Sequence, residues 1–369
     1  MFYLISFVMQ TSTGTTSPTL NVGLRGVLAA LTAFIISSVS GRKIVPWLRR
    51  KKIGERTEAT PIEDEKLVEQ IAAKSGTPTM GGVIIILGLI VGCLIWGDLD
   101  NLYLLLALGA VVTFAVLGFV DDWAKLTGKS SADRGLKARH KLLVQFLLGG
   151  VIGYVLLRAY RAWDFETGFR LFLPFAPGWE ICLGALIVIW CALVVATTSN
   201  ATNIADGLDG LMPGLAVIAF MAMAAPALCS SHAGMSEYLN IPHVPGSGEI
   251  GLFCLAMAGA CLGFLWWNSW PAQVFSGDTG SLAIGAGLAV CAVIVKQEVL
   301  LLFVGMMFFL EFGSSVLQIL FFKLTGKRIL PIAPVHYWCR KVGWAEQKTV
   351  ARFYIGGAVS ALVGLSLLG

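Results

Sequence analysis

Apolar residues along this chain run in long blocks instead of alternating with polar ones, and ten blocks can be drawn. They cover about 22–41, 80–97, 102–120, 142–158, 179–197, 211–228, 250–267, 279–296, 299–321 and 353–369. A hydrocarbon core of about 30 Å, at about 1.5 Å of rise per residue, is crossed by roughly 20 helical residues. The pattern therefore predicts an all-α polytopic membrane protein of about ten transmembrane helices, one integral membrane domain over residues 1–369. Glycines inside the blocks, among them Gly109, Gly149, Gly150, Gly259 and Gly263, suit close helix packing in lipid. In the linker 42–79, the run Glu63-Asp64-Glu65-Lys66 predicts a short surface helix to Ala73, broken by Gly76, Thr77 and Pro78. There is no internal repeat and no low-complexity tract, which counts against repeat-built transporters.

Composition agrees with the pattern. Of 369 residues, 56% are hydrophobic and 13% charged, with a mean hydropathy of +0.78; a soluble domain carries roughly 25% charge. The net charge of +5 does not indicate nucleic acid, because no basic stripe with interleaved aromatics is present. The basic residues lie in short loops, where they meet anionic membrane lipids. Cys93, Cys182, Cys191, Cys254, Cys261 and Cys291 lie in apolar stretches without CxxC spacing and read as small buried hydrophobes. The N-terminus lacks a basic n-region and a small-residue cleavage site, so no removed leader is expected.

Loops 42–79, 121–141 and 322–352 hold nine, six and seven Lys or Arg, 22 of the 27 in the chain. Alternating spans put all three on one side, which the positive-inside rule makes cytoplasmic, leaving both termini periplasmic. Arg25, Arg158, Arg161, Arg170 and Lys296 fall on the other side.

Five aspartates gather at the same level. Asp121 and Asp122 close the third span, Asp206 and Asp209 follow the fifth, and Asp278 precedes the eighth. Any one of them reads equally well as a helix cap. Three groups on one face, each beside Gly or Asn, offer hard oxygens that suit Mg²⁺, with phosphate or water completing its shell. Lys125, Lys129, Lys137, Arg139 and Lys141 add positive charge enough for a diphosphate, although a stop-transfer run explains them as well. Together they predict a phosphoryl-transfer site, where catalysis is mostly positioning and charge neutralisation. His336 follows Pro331 and Pro334 in an inner loop stiffened towards the aspartates, and so joins the candidates.

Several strings together resemble the polyprenyl-phosphate N-acetylhexosamine-1-phosphate transferases. They are Lys74-Ser75-Gly76-Thr77-Pro78-Thr79-Met80-Gly81-Gly82, the Asp121-Asp122 segment, Asn200 through Gly210, Phe264 through Ser281, Lys296-Gln297-Glu298 and Lys327 through Phe353. The branch they resemble most transfers phospho-MurNAc-pentapeptide from UDP-MurNAc-pentapeptide to undecaprenyl phosphate, releasing UMP, and needs Mg²⁺. The resemblance implies Asp278 as the principal metal ligand. It implies that Asp121 and Asp122 meet the lipid phosphate, one of them as base or nucleophile, with one-step and covalent routes both open. It places Asn203, Asp206, Gly207, Leu208, Asp209 and Asn268 around the nucleoside, Lys74 at the uracil or diphosphate, and the Phe275 ring on the base. Lys125 and Lys141 match phosphate-facing positions, His336 keeps a catalytic place, and a homodimer is expected. Two departures stand out. His336-Tyr337-Trp338 replaces the usual three histidines, and Leu67–Ala73 lacks a Gly-Pro and a His common in the family. A sister enzyme using UDP-GlcNAc is the neighbouring alternative. An ion-coupled transporter, the reading from another class, calls for carboxylates at mid-membrane within broken helices.

Overall fold

The computed structural model describes residues 21–51, 74, 76–127, 135–163, 165–173 and 179–368. The surface helix expected at 63–73 and Lys129 lie outside these residues. The long helices are α1 (Val22–Arg50), α2 (Gly82–Trp96), α3 (Leu102–Thr127), α4 (Ala138–Ala162), α5 (Ile187–Ala205) and α6 (Leu211–Ser230). A short α7 (Ala233–Tyr238) leads to α8 (Gly248–Asn268) and α9 (Gly277–Ile294), then α10 (Glu298–Val304), α11 (Met306–Thr325), α12 (Val335–Lys341) and α13 (Glu346–Ser366). Among the described residues nine helical segments are long and apolar enough to cross a membrane, and α2 is a shorter apolar helix. The all-α polytopic membrane architecture expected from the apolar blocks is therefore present.

Local details differ from the expectation. The block 179–197 begins not as helix but as strand β2 (Glu180–Cys182), paired antiparallel with β1 (Arg170–Phe172), and then a 3₁₀ turn. Cys182 is consequently exposed, unlike Cys93, Cys191, Cys254, Cys261 and Cys291, which are buried. The block 299–321 is two helices, α10 and α11, separated at Gly305, the residue with least intrinsic hold on helical geometry. Asp121 and Asp122 do not end α3, which runs on to Thr127, and Asn200–Ala205 still belong to α5.

Helix α9 is the axis of the molecule, buried at every residue from Asp278 to Ile294. It packs against α3, α5 and α2. Lipid tails are as apolar as side chains, so helices in a bilayer associate through small residues that admit close approach. Two such approaches fix the height of Asp278. A Cβ on Gly118 of α3 would lie 2.2 Å from the Asp278 carbonyl oxygen, and one on Gly82 of α2 would lie 2.3 Å from the Gly280 Cα. The contacts described next bring the C-terminal ends of α3, α5 and α8 and the N-terminal ends of α4, α6, α9 and α13 together. That common end carries the site.

Candidate active site

Consecutive residues on a helix diverge by about 100°, and Asp121 and Asp122 use that divergence. Asp122 turns to the start of α9, where its carboxylate accepts the N–H of Asp278 at 3.1 Å, the N–H of Thr279 at 3.0 Å and the Thr279 hydroxyl at 2.8 Å. It thus caps from another chain segment the N–H groups that α9 cannot satisfy itself. Gly277, at φ +71°, makes the turn just before, with no room for a side chain beside Asp122.

Asp121 faces the other way. Its Oδ1 accepts the Leu136 N–H at 2.7 Å, and its Oδ2 meets Lys125 Nζ at 3.0 Å and Lys141 Nζ at 3.2 Å. Lys125, one helical turn on, also reaches Asp278 Oδ2 at 2.9 Å, and Lys141 from α4 pairs with that same oxygen. Asp278 Oδ1 accepts the Asn203 side-chain amide at 2.7 Å. Two ammonium groups therefore bridge Asp121 and Asp278, carboxylates brought together from α3 and α9. The Lys125 side chain is 44% exposed and that of Lys141 13%, so Lys125 is the one free to swing towards an incoming anion.

This donor set fits magnesium. Mg²⁺ binds proteins through one or two carboxylates and keeps waters or phosphate oxygens for the rest of its shell. Asp121 Oδ2 and Asp278 Oδ2 are two hard oxygens already converging on shared positive charge. No group of three or more His, Cys, Asp or Glu suited to enclose a metal occurs among the described residues.

A second polar group is built around the 74–82 segment. Pro78 O accepts the Phe275 N–H, while Gly81 and Gly82 donate to Phe275 O and Ser276 O, all within 2.9 Å. This ladder ties Lys74 to the loop that carries Asp278. Lys74 Nζ pairs with Asp209 Oδ1 at 2.6 Å and Glu346 Oε1 at 2.5 Å, and Glu346 also accepts the Asp209 N–H. Asn268 is a strut, accepting from Gly210 N and donating to Val274 O. Leu208 belongs to the hydrophobic core, and Asp206 ends α5 as its C-terminal cap residue.

His336 is fully buried against Gly207, where a Cβ would lie 2.3 Å from its Nε2. Its other ring nitrogen bonds Glu311 at 2.9 Å. None of its hydrogen bonds goes to Asp121, Asp122 or Asp278. The expected residues therefore form one cluster of Asp121, Asp278, Lys125, Lys141 and Asn203, and a neighbouring group of Lys74, Asp209, Asn268, Gly207 and His336. Asn203 and Asp206, three residues apart at the end of α5, join them.

Sequence reasoning did not single out Glu346, Thr279 or Glu311. An acid at the start of a helix reads as an ordinary solvated end, so Glu346 gave no signal. Glu311 did give one: an ionisable residue inside an apolar span is expensive and marks function by default.

The glycosyl transferase family 4 model matches residues 104–296, and the phospho-N-acetylmuramoyl-pentapeptide-transferase signature 1 matches 74–86. The phospho-N-acetylmuramoyl-pentapeptide-transferase of Desulfosudis oleivorans is 40% identical over 94% of this chain and 93% of its own length. Proteins of that same name from Maricaulis maris, 39% identical over 92% of each chain, and Maridesulfovibrio salexigens, 40% identical over 94% and 93%, are similar throughout.

Proposed function

The chain belongs to the phospho-N-acetylmuramoyl-pentapeptide transferases of glycosyl transferase family 4, and from that premise we propose how its residues perform the transfer. The enzyme moves phospho-MurNAc-pentapeptide from UDP-MurNAc-pentapeptide to undecaprenyl phosphate. A phosphate oxygen of the carrier forms a bond to the β-phosphorus, and the bond from that phosphorus to the bridging oxygen breaks. UMP leaves with the bridging oxygen.

The observation that carries the assignment is that Lys125 and Lys141 together span Asp121 and Asp278. Such a cluster can exchange carboxylate partners for diphosphate oxygens without bringing in new charge. Lys125 swings to the donor's diphosphate, and the better-buried Lys141 holds the two carboxylates in register. Asp122, committed to the start of α9, fixes the height of Asp278, which leaves Asp121 to meet the carrier phosphate and accept its proton. Asp278, with Asp121 beside it, would hold Mg²⁺, which when bound neutralises charge on the diphosphate. Asn203 keeps Asp278 oriented. Lys74, Asp209 and the Asp206–Leu208 turn receive the nucleoside, with the Phe275 ring on the base.

In this reading the protein lies in the bacterial inner membrane as a homodimer, site to the cytoplasm and both termini periplasmic, as the 22 basic residues on one side support.

The test is UMP release by the purified protein in lipid with undecaprenyl phosphate and either UDP-MurNAc-pentapeptide or UDP-GlcNAc. Release is expected with the first donor, lost on chelation and restored by Mg²⁺. No release from the muramoyl donor overturns the reading.

A further inference from the structure

Glu311 pairs with His336 and with none of the lysines of the site. It sits inside α11, fully buried, in the apolar first half of that helix. Both of its oxygens are directed at a single residue. Oε1 accepts the backbone N–H of His336 at 3.1 Å, and Oε2 lies 2.9 Å from His336 Nδ1. A carboxylate that accepts through both oxygens is matched by an imidazole that carries its proton on Nδ1. The opposite nitrogen, Nε2, is buried with no partner and lies against Gly207. A buried polar atom without a partner is costly and calls for an explanation. Here it is the atom that faces the turn between Asp206 and Asp209.

We propose that Glu311 is a positioning residue that locks His336 in the Nδ1–H tautomer, so that its Nε2 lone pair accepts a hydrogen bond from the nucleotide donor seated on the Asp206–Asp209 turn. The inference rests on the transferase reading and adds the device that orients the histidine. A single carboxylate serves the ring and the backbone at once. An amide serves them less well, because one of its two ends is an NH₂ that faces Nδ1 or the N–H of His336.

The experiment compares the full-length protein with Glu311→Gln, Glu311→Asp and Glu311→Ala in lipid. The chain has four histidines, so ¹⁵N-histidine NMR resolves the ring of His336. The parent should show a protonated Nδ1 and a bare Nε2 that shifts on adding UMP. Glu311→Gln should move the proton to Nε2 and raise KM for the muramoyl donor about tenfold, the loss of roughly one oriented hydrogen bond. KM for the carrier should not change, and Glu311→Asp should recover part of the loss. An unchanged tautomer and KM in the Gln variant overturns the proposal. So does a loss shared equally by both substrates in step with a lower melting temperature, which would make Glu311 purely structural. If the parent releases no UMP, the transferase reading fails; the UMP-induced shift at Nε2 then still decides for or against Glu311.

Discussion

Asp122 holds Thr279 twice, accepting its backbone N–H at 3.0 Å and its hydroxyl at 2.8 Å on one carboxylate oxygen. The grip joins α3 to the first turn of α9, the turn that carries Asp278. An anion at a helix N-terminus is favourable through the unpaired N–H groups and the helix dipole. The relationship separates two aspartates that are adjacent in sequence into different tasks.

Thr279→Val removes the hydroxyl and keeps the backbone bond. The expected cost is about 1 kcal/mol of stability, typical of one lost hydrogen bond, with a modest fall in turnover. Asp122→Ala removes all three bonds and should cost more on both measures. Thermal melting in detergent beside UMP release checks the order.

Asp278→Asn keeps the shape of the side chain and removes its charge. Turnover should fall by a factor of about 10² or more, on the scale of losing a principal electrostatic contact to the reacting group. The fold should survive, since α9 is buried at every residue from Asp278 to Ile294. A variant that still turns over would refute the metal-holding role.

Gly118→Ala tests whether the height of α9 matters. The added Cβ would stand 2.2 Å from the Asp278 carbonyl oxygen, so backbone has to move. Overpacking of this kind costs roughly 1–3 kcal/mol, and activity should fall further than stability does. Gly109→Ala on the same helix, where the Cβ meets open space, should be silent in both assays.

Glu346→Gln should loosen Lys74, which now bridges Glu346 and Asp209. If Lys74 serves the nucleotide, the variant changes KM for the UDP-linked donor and leaves KM for the lipid carrier alone. Equal changes in both would assign Glu346 to the fold. Lys74→Met should weaken UMP binding more than Glu346→Gln does, measured by calorimetry.

The chain's hydropathy was enough to locate the long apolar helices, because burial in lipid acts on each segment separately, but α1, α3, α5, α11 and α13 start or end seven or more residues away from their blocks. It missed the strand at Glu180–Cys182 and the break at Gly305, where backbone geometry is decided by a few residues inside an apolar run. The aspartates and lysines could be gathered at one end by counting spans. That Asp121 goes to the lysines while Asp122 goes to α9 could not be, since both orientations suit the same helix.

What the amino-acid order determined by itself was the solvent, the all-α class and the level at which the charges collect, all set by local transfer free energies. What only the tertiary structure decided was who meets whom: Lys141 with Asp278, Lys74 with Glu346, Glu311 with His336. These partners are separated by 137, 272 and 25 positions. A pairing of that kind arises when helices close on one another through small residues, and periodicity along a single segment carries no trace of it.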